Sequence, residues 1–327
     1  MENEKKLISV MTPVYNEEGN IENLYQAVKE QFKNLPQYRY EHIFIDNHST
    51  DHSRDILRAI AGEDANVKVI FNTRNFGPNR SGTYGMLQAK GDALICIVCD
   101  LQDPPELIPT FLKKWEEGFS IVVGQKTRSK ENPAMYHIRK LYYRLINNLA
   151  ETKQLSNVTG YGLYDKKVLD TIRWMDDPDP YIRGLITQLG YKYCTIEYTQ
   201  QKRTSGHSSY NFFKYFDFAM TGITHVSQKP LRGITFIGFT LSAVSMAVAI
   251  IFLIIKLVRW NDFQMGMAPV VIGLFFFGSV QLAAMGVIGE YIGAILIKVT
   301  RRPMVVEEER INFDGEEKAY GSKTDEK

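Results

Sequence analysis

Two stretches without a single charged residue, 233–255 and 265–289, constrain this chain more than any other feature of it. As helices, each is long enough to cross a hydrocarbon layer about 30 Å thick. Only a segment that satisfies its own backbone hydrogen bonds can span a bilayer, so the pair reads as two helices joined by the short polar link 256–264. Lys229, Arg232, Lys298, Arg301 and Arg302 flank the outer ends, against Lys256 and Arg259 in the link. That bias predicts that both outer ends face the cytoplasm. A buried core hairpin is the alternative reading of the same two runs. Glu290, directly after the second run, reads as an acid solvated at the interface.

The 327 residues leave room for one sizeable domain ahead of these runs, and a composition of 44% hydrophobic and 23% charged residues is globular. A net charge of +2 argues against general nucleic-acid binding. Cys96, Cys99 and Cys194 give no disulfide framework. Cys96 and Cys99 form a C-x-x-C, but in a strand positions i and i+3 face opposite sides, which predicts neither a redox pair nor a metal clip. The charged start runs into an apolar strand pattern without a signal-peptide core. After Arg302 the chain is polar and acidic, which predicts a disordered cytoplasmic tail over 300–327. The organisation expected is a cytoplasmic catalytic domain over 1–202, an aromatic-rich juxtamembrane amphipathic segment over 203–232, and two spans within 233–299, at about 233–257 and 265–290.

Within the first part, strand and helix patterns alternate. Strands are expected over 7–14, 40–45, 67–71 and 93–99, and helices over 18–34, 53–61 and 77–90. Such alternation predicts an α/β fold with a mostly parallel, Rossmann-like sheet. Ligands of open sheets bind beyond the carboxyl ends of the strands. Three loops fall there: 12–17, with Pro13, Tyr15 and Glu17; 46–51, opening on Asp46; and 100–106, with Asp100, Gln102 and Asp103 ahead of two prolines. No G-x-G-x-x-G follows the first strand, which argues against a dinucleotide site. Tyr15 and Glu17 offer an aromatic face and a carboxylate to a nucleobase, and Asp46 an acceptor to a base or ribose. Asp100 and Gln102 present two oxygen donors, a set that suits Mg²⁺ or Mn²⁺ shared with a diphosphate. Singly each loop also reads as an ordinary strand-to-helix turn or helix cap. Together they describe a nucleotide site with a metal at its phosphate end.

The strings T-P-V-Y-N-E-E, D-L-Q-D-P-P-E and T-G-Y-G-L-Y-D, together with the paired apolar runs, resemble the membrane-anchored polyprenyl-phosphate glycosyltransferases of glycosyltransferase family two. The likeness covers residues 7 to about 300. It implies a GT-A nucleotide-diphospho-sugar domain, a UDP-sugar donor, a polyprenyl phosphate acceptor at the bilayer, and inversion at the anomeric carbon. Residue by residue it gives Pro13, Tyr15, Glu17, Asp46 and Asp100 to the nucleotide sugar, and Asp100 and Gln102 to the metal. Asp100, Gln102 and Asp103 form the candidate catalytic set, Asp103 as a donor-sugar or loop-ordering residue. The chain departs from the family at Val98, where a first aspartate is frequent, at Asn47-His48, where Asp-Gly is usual, and at Gly162, where many relatives carry arginine.

For the acceptor phosphate the resemblance points to Lys126, Arg128, Arg139 and Arg203, the third on an amphipathic helix expected over 134–150. The alternative for each is a solvated or headgroup-facing cation. A phosphate monoester carries about −1.5 to −2 charges near neutral pH, so it is already a nucleophile and needs no general base. The family also implies a homotetramer or a flippase partner as open alternatives. Glucose is the sugar expected first, then N-acetylglucosamine, then mannose. A processive polysaccharide synthase lacks its Q-x-x-R-W string here, and a non-enzymatic membrane scaffold is the rival that Val98 raises. Because all three loops lie in the first half, the chain up to residue 228 is expected to hold the nucleotide site by itself.

Overall fold

The computed structural model describes residues 5–128, 155, 157–200, 229–258, 267–300 and 302–313. These fall into two compact units, one holding the described residues up to 200 together with 300 and 302–313, the other the two long helices.

The first unit is built on one eight-stranded sheet in the order β7-β5-β6-β4-β1-β2-β3-β8. Its strands are β1 Leu7–Val14, β2 Arg39–Asp46, β3 Val67–Asn72, β4 Ala93–Cys96, β5 Ile121–Arg128, β6 Val158–Asp165, β7 Tyr193–Thr199 and β8 Glu307–Ile311. β4, β1, β2 and β3 run parallel side by side, as the alternating pattern predicts. β6 is antiparallel to both β4 and β5, which makes the sheet mixed. β1 reads as a nearly unbroken buried run because helices cover both faces of the sheet. On one face α1 (Ile21–Lys33), α2 (Ser53–Glu63) and α4 (Ile108–Glu116) pack over Val10, Phe44 and Ile95. On the other, α3 (Pro78–Leu87), α5 (Lys166–Met175) and α6 (Ile182–Gln188) cover Met11, Ile45 and Leu94. α1 shows how the sequence sets this. Ile21, Leu24, Tyr25, Val28 and Phe32 recur at helical spacing and are its buried residues.

The structure corrects some of these expectations and extends others. β4 ends at Cys96, not at residue 99. Ile97 still donates its N–H to Met11, at 3.0 Å, but Leu101 turns into the left-handed region at φ 54° and the chain leaves the sheet. The apolar pattern runs on because Ile97 and Cys99 pack into the core without ladder partners on both sides. Cys96 and Cys99 lie in clusters on opposite faces of the sheet, as the spacing predicts. β5, β6 and β7 were not among the expected strands. Gly162 of β6 leaves no room for a side chain, since a Cβ there would sit 2.3 Å from the Val122 carbonyl oxygen of β5.

The largest correction is the tail, expected to be disordered over 300–327. Part of it is β8, antiparallel to β3 with Val69 opposite Ile311 and Phe71 opposite Glu309. Val305 just before it is buried. Three successive glutamates look like a solvated segment in sequence, yet Arg54, Arg58, Arg310 and the Tyr84 hydroxyl take up their charge. The strand thereby closes one sheet edge with charged side chains, a common protection against edge pairing.

In the second unit, α7 (Lys229–Val258) and α8 (Met267–Val299) are each long and apolar enough to cross a membrane. Phe236, Leu282 and Val299 are more than two-thirds exposed, so these helices do not form the buried core hairpin of the alternative reading. α8 runs beyond the expected end at 290, which places Glu290 within the helix.

If β8 completes the catalytic unit, a chain ending at residue 300 should unfold at a temperature about 5–10 °C lower, by loss of a strand worth a few kcal/mol. Thermal unfolding of the full and shortened proteins in the same detergent checks this. An unchanged midpoint would mean that the strand adds nothing to the domain.

Candidate active site

The in-register parallel pairing of β1 with its neighbours, Val14 opposite Asp46 and Met11 opposite Cys96, carries the three predicted loops to one edge of the sheet. Pro13 lies near the end of β1 and Tyr15 and Glu17 follow it, Asp46 ends β2, and Asp100, Gln102 and Asp103 follow β4. β5 is antiparallel to β6, and β6 to β4, so Lys126 and Arg128 at the end of β5 reach the same edge. Arg139 and Arg203 lie outside the described residues, as do the expected helix over 134–150 and the juxtamembrane segment up to residue 228.

The first two loops are laced together. Asn16 donates its N–H to Ser49 Oγ at 2.9 Å and accepts from the Thr50 N–H at 2.8 Å. The Glu17 N–H reaches Ser53 Oγ, also at 2.9 Å. Tyr15 stays 43% exposed, its ring open to stack on a base. Asp46 is fully buried and accepts from the Ser49 N–H at 3.1 and 3.3 Å. Burial pushes its carboxyl up from the ordinary value, while Ser49 and the nearby Arg54 work the other way. His48 turns at φ 66°, in the left-handed region that glycine enters most readily. Asn47, in the aspartate's place, clamps a further loop. Its side-chain oxygen accepts from Asn72, at 3.2 Å, and from the Phe76 N–H, at 2.9 Å, and its amide donates to Asn75. Sequence reasoning missed this junction, since its partners lie 25 to 29 residues away.

In the third loop Asp100 is buried and accepts the Gln102 N–H at 3.2 Å. The Gln102 side-chain oxygen accepts from Gln200 at 2.9 Å and keeps a second lone pair. Among the described residues no three carboxylate, histidine or cysteine groups converge as a metal cage. The donor set of one carboxylate and one amide oxygen nevertheless fits a Mg²⁺ or Mn²⁺ that takes most of its ligands from a diphosphate and water. Val98, where a further carboxylate is frequent, is 37% exposed and adds no ligand.

Asp103 is almost wholly buried and accepts a short hydrogen bond from the Tyr198 hydroxyl. Burial raises its carboxyl, against the opposing effects of Tyr198 and of the Lys126 charge. Tyr161 donates its hydroxyl to Pro104 O at 2.5 Å and packs edge-on to Phe111 and Tyr198. The two tyrosines, on β6 and β7, thus anchor the turn that presents Asp100. A cavity of about 140 Å³ opens beside it, lined among others by Pro13, Asn79, Thr83, Val98 and Tyr161. Cys96 also borders it, but burial raises its thiol far above the ordinary range, which leaves it a poor nucleophile.

The parallel strands at the centre of this mixed sheet thus gather acidic, hydroxyl-laced loops at one edge. Residues 9–173 match glycosyl transferase family 2. The SfII prophage-derived bactoprenol glucosyl transferase of Shigella flexneri is 34% identical over 300 residues, 91% of this chain and 96% of that one. The glycosyltransferase YkcC of Bacillus subtilis is 35% identical over 91% of this chain and 92% of its own. Among solved structures, glucosyl-3-phosphoglycerate synthase from Mycobacterium tuberculosis with Mn²⁺ and UDP aligns at 19% identity and TM-score 0.47, covering 67% of this chain and 76% of that one. The chain belongs to glycosyl transferase family 2 and is a glycosyltransferase.

Asp103 serves as an anchor here. Asp103→Asn, which keeps an acceptor for Tyr198, should hold turnover within about tenfold of wild type with the same pH profile. A drop of about 10³-fold or more would instead mark a general base.

Proposed function

We propose that this enzyme transfers a single sugar from a UDP-sugar to polyprenyl phosphate at the cytoplasmic face of a membrane, with inversion at the anomeric carbon. One juxtaposition carries the reading: a strand-edge nucleotide site and two exposed, membrane-length helices occur in one chain. Relatives named bactoprenol glucosyl transferase support it, because they align with this chain over 91% of its length and 96–97% of their own. Their names make glucose the first expectation, with N-acetylglucosamine and mannose as alternatives on the same lipid. The non-enzymatic scaffold has no support in the site geometry, where the Asp100 turn and the Asp46 loop are both intact.

Pro13, Tyr15, Glu17 and Asp46 would hold the nucleoside, the aromatic ring by stacking and the carboxylates by hydrogen bonds. Asp100 and Gln102 would hold a Mg²⁺ or Mn²⁺, which when bound neutralises charge building on the departing diphosphate. Lys126, Arg128, Arg139 and Arg203 would draw in and orient the lipid phosphate. A phosphate oxygen attacks C1 from the face opposite the leaving group. The C1–O bond to UDP breaks as the new C1–O bond forms, and the electron pair departs with UDP. The acceptor phosphate needs no base, so the work left to the protein is positioning and charge stabilisation. The apolar helices hold the site where a lipid phosphate is found and raise its effective concentration.

Membranes carrying the enzyme, given a panel of labelled UDP-sugars and undecaprenyl phosphate, should yield one labelled lipid, abolished by EDTA. Asp100→Asn should lower kcat by about 10²-fold or more while the protein stays folded, because it removes the one carboxylate of the cation site. Arg139→Ala should raise the KM for polyprenyl phosphate and leave the UDP-sugar KM nearly unchanged. Full turnover in EDTA would sink the cation assignment, and equal loss of donor affinity would sink the division of roles.

A further inference from the structure

A second cleft, of about 410 Å³, opens at the sheet edge opposite the candidate active site. Lys90 lies just before β4 and Lys166 just after β6, and Ala93 pairs with Asp165, so both lysines stand where β4 begins. The nucleotide loops leave the other ends of the parallel strands. Four cations line this cleft, Lys90, Lys166, Arg173 and Arg310, beside Gln88 and Phe313, and no carboxylate is among its described lining residues. They converge from the link between α3 and β4, from α5 and from β8. Lys166 and Arg173 are seven residues apart on α5, two helical turns, and so fall on one face of it.

The two arginines are held in place by other bonds. Arg173 donates to Leu87 O at 3.0 and 3.1 Å and to Ala89 O at 2.6 Å, and meets Asp170 at 2.6 Å. Arg310 donates to Glu307 at 2.5 and 2.9 Å and to Gln88 Oε1 at 3.0 Å, with its guanidinium 4.5 Å above the Phe313 ring. The two lysines differ. Their backbones are fixed, the Lys90 N–H on Glu41 Oε1 and the Lys166 N–H on the Asp92 carbonyl, both at 3.0 Å. Their ammonium groups have no ion pair or hydrogen bond among the described residues, whereas Lys29, Lys68 and Lys114 each take a carboxylate at 3.0 Å or less. Like charges gathered around one cleft repel until an anion joins them. Two point charges and two rigid forks are a mixture suited to phosphate oxygens.

We propose that this cleft is a second anion site, which binds a soluble ligand through a phosphate or diphosphate group, apart from both donor and acceptor. The choice of a soluble ligand over a lipid headgroup rests on the reading that the catalytic edge is the one that meets lipid. α3 joins the two places: Pro78, Asn79 and Thr83 near its start border the cavity beside the Asp100 turn, and Leu87 at its end borders the cleft.

Inorganic pyrophosphate is the probe, added to the full-length protein in detergent with EDTA at constant ionic strength, while acetylation of single lysines is followed by mass spectrometry. Pyrophosphate should slow acetylation of Lys90 and Lys166 and leave Lys33, three-quarters exposed on α1, unaffected. If the lysines share one ligand, Lys90→Gln should raise the concentration that half-protects Lys166 about tenfold, the loss of one charge-assisted hydrogen bond. Lys33→Gln should not shift it. No protection, equal protection of Lys33, or a midpoint at Lys166 indifferent to Lys90→Gln would each overturn the proposal. Two further arms identify the occupant. In nanodiscs without pyrophosphate, phosphatidylglycerol should protect the two lysines no more than phosphatidylcholine does. Protection by phosphatidylglycerol alone would assign the cleft to a headgroup and overturn the soluble ligand. A chain ending at residue 313 should keep the pyrophosphate response. Lysines already protected in the full chain without ligand, and freed by that truncation, would assign the cleft to Asp314, Glu316 and Glu317 and overturn the proposal. None of these readouts involves transfer to polyprenyl phosphate, so failure of the acceptor reading shows in its own assay and leaves the anion site standing.

Discussion

The parallel pairing of β1 with β2 on one side and β4 on the other is the constraint from which the site follows. Backbone hydrogen bonds fix Val14 beside Asp46 and Met11 beside Cys96. The chain leaving each strand must then emerge at the same edge. The register is well determined because both faces are buried, so a slip of one residue would carry whole rows of side chains to the wrong layer. Polar side chains are thereby gathered from three distant stretches, each loop turning through one left-handed residue, Asn16, His48 or Leu101. What the loops add is local lacing: Asn16 to Ser49 and Thr50, Asn47 to the loop after β3, and Tyr198 to Asp103.

That lacing matters because the site spends burial on charge. Asp46 and Asp103 are both nearly inaccessible carboxylates whose protonation burial favours. Each is held by donors and by a nearby cation, Arg54 for one and Lys126 for the other. A buried carboxylate with its partners in place is rigid, and rigid groups hold a loop in one position. His42 shows the opposite solution. It lies beneath the site against Phe44 and Thr12, and burial drops it to about 3, so it stays neutral and packs as an aromatic ring.

The legible part of this architecture is the part with period. β1 to β4 and the helices between them follow from apolar runs and 3.6-residue spacing, and the strand-end location of Pro13, Tyr15, Glu17, Asp46 and Asp100 follows from the parallel sheet. The illegible part is what long-range pairing decides. β6 contains Gly160 and Gly162 in a strand, which propensity disfavours, yet close approach to Val122 makes glycine the residue that fits at 162. β8 contains three glutamates in a row, and composition alone assigns such a segment to solvent. Its order comes from arginines contributed by α2, some 250 residues earlier. No local window contains both halves of that interaction.

The same separation shapes how the molecule can be divided. Along the sequence pattern, the catalytic unit finishes before the apolar helices begin. In space it does not finish until β8, whose residues follow α8 directly and pair with β3 two strands from the centre of the site. An insertion of two long helices between β7 and β8 is thermodynamically tolerable, since the entropy of closing a loop rises only logarithmically with its length. Its consequence is mechanical: both chain connections of the apolar helices lead into the catalytic unit, one after β7 and one before β8.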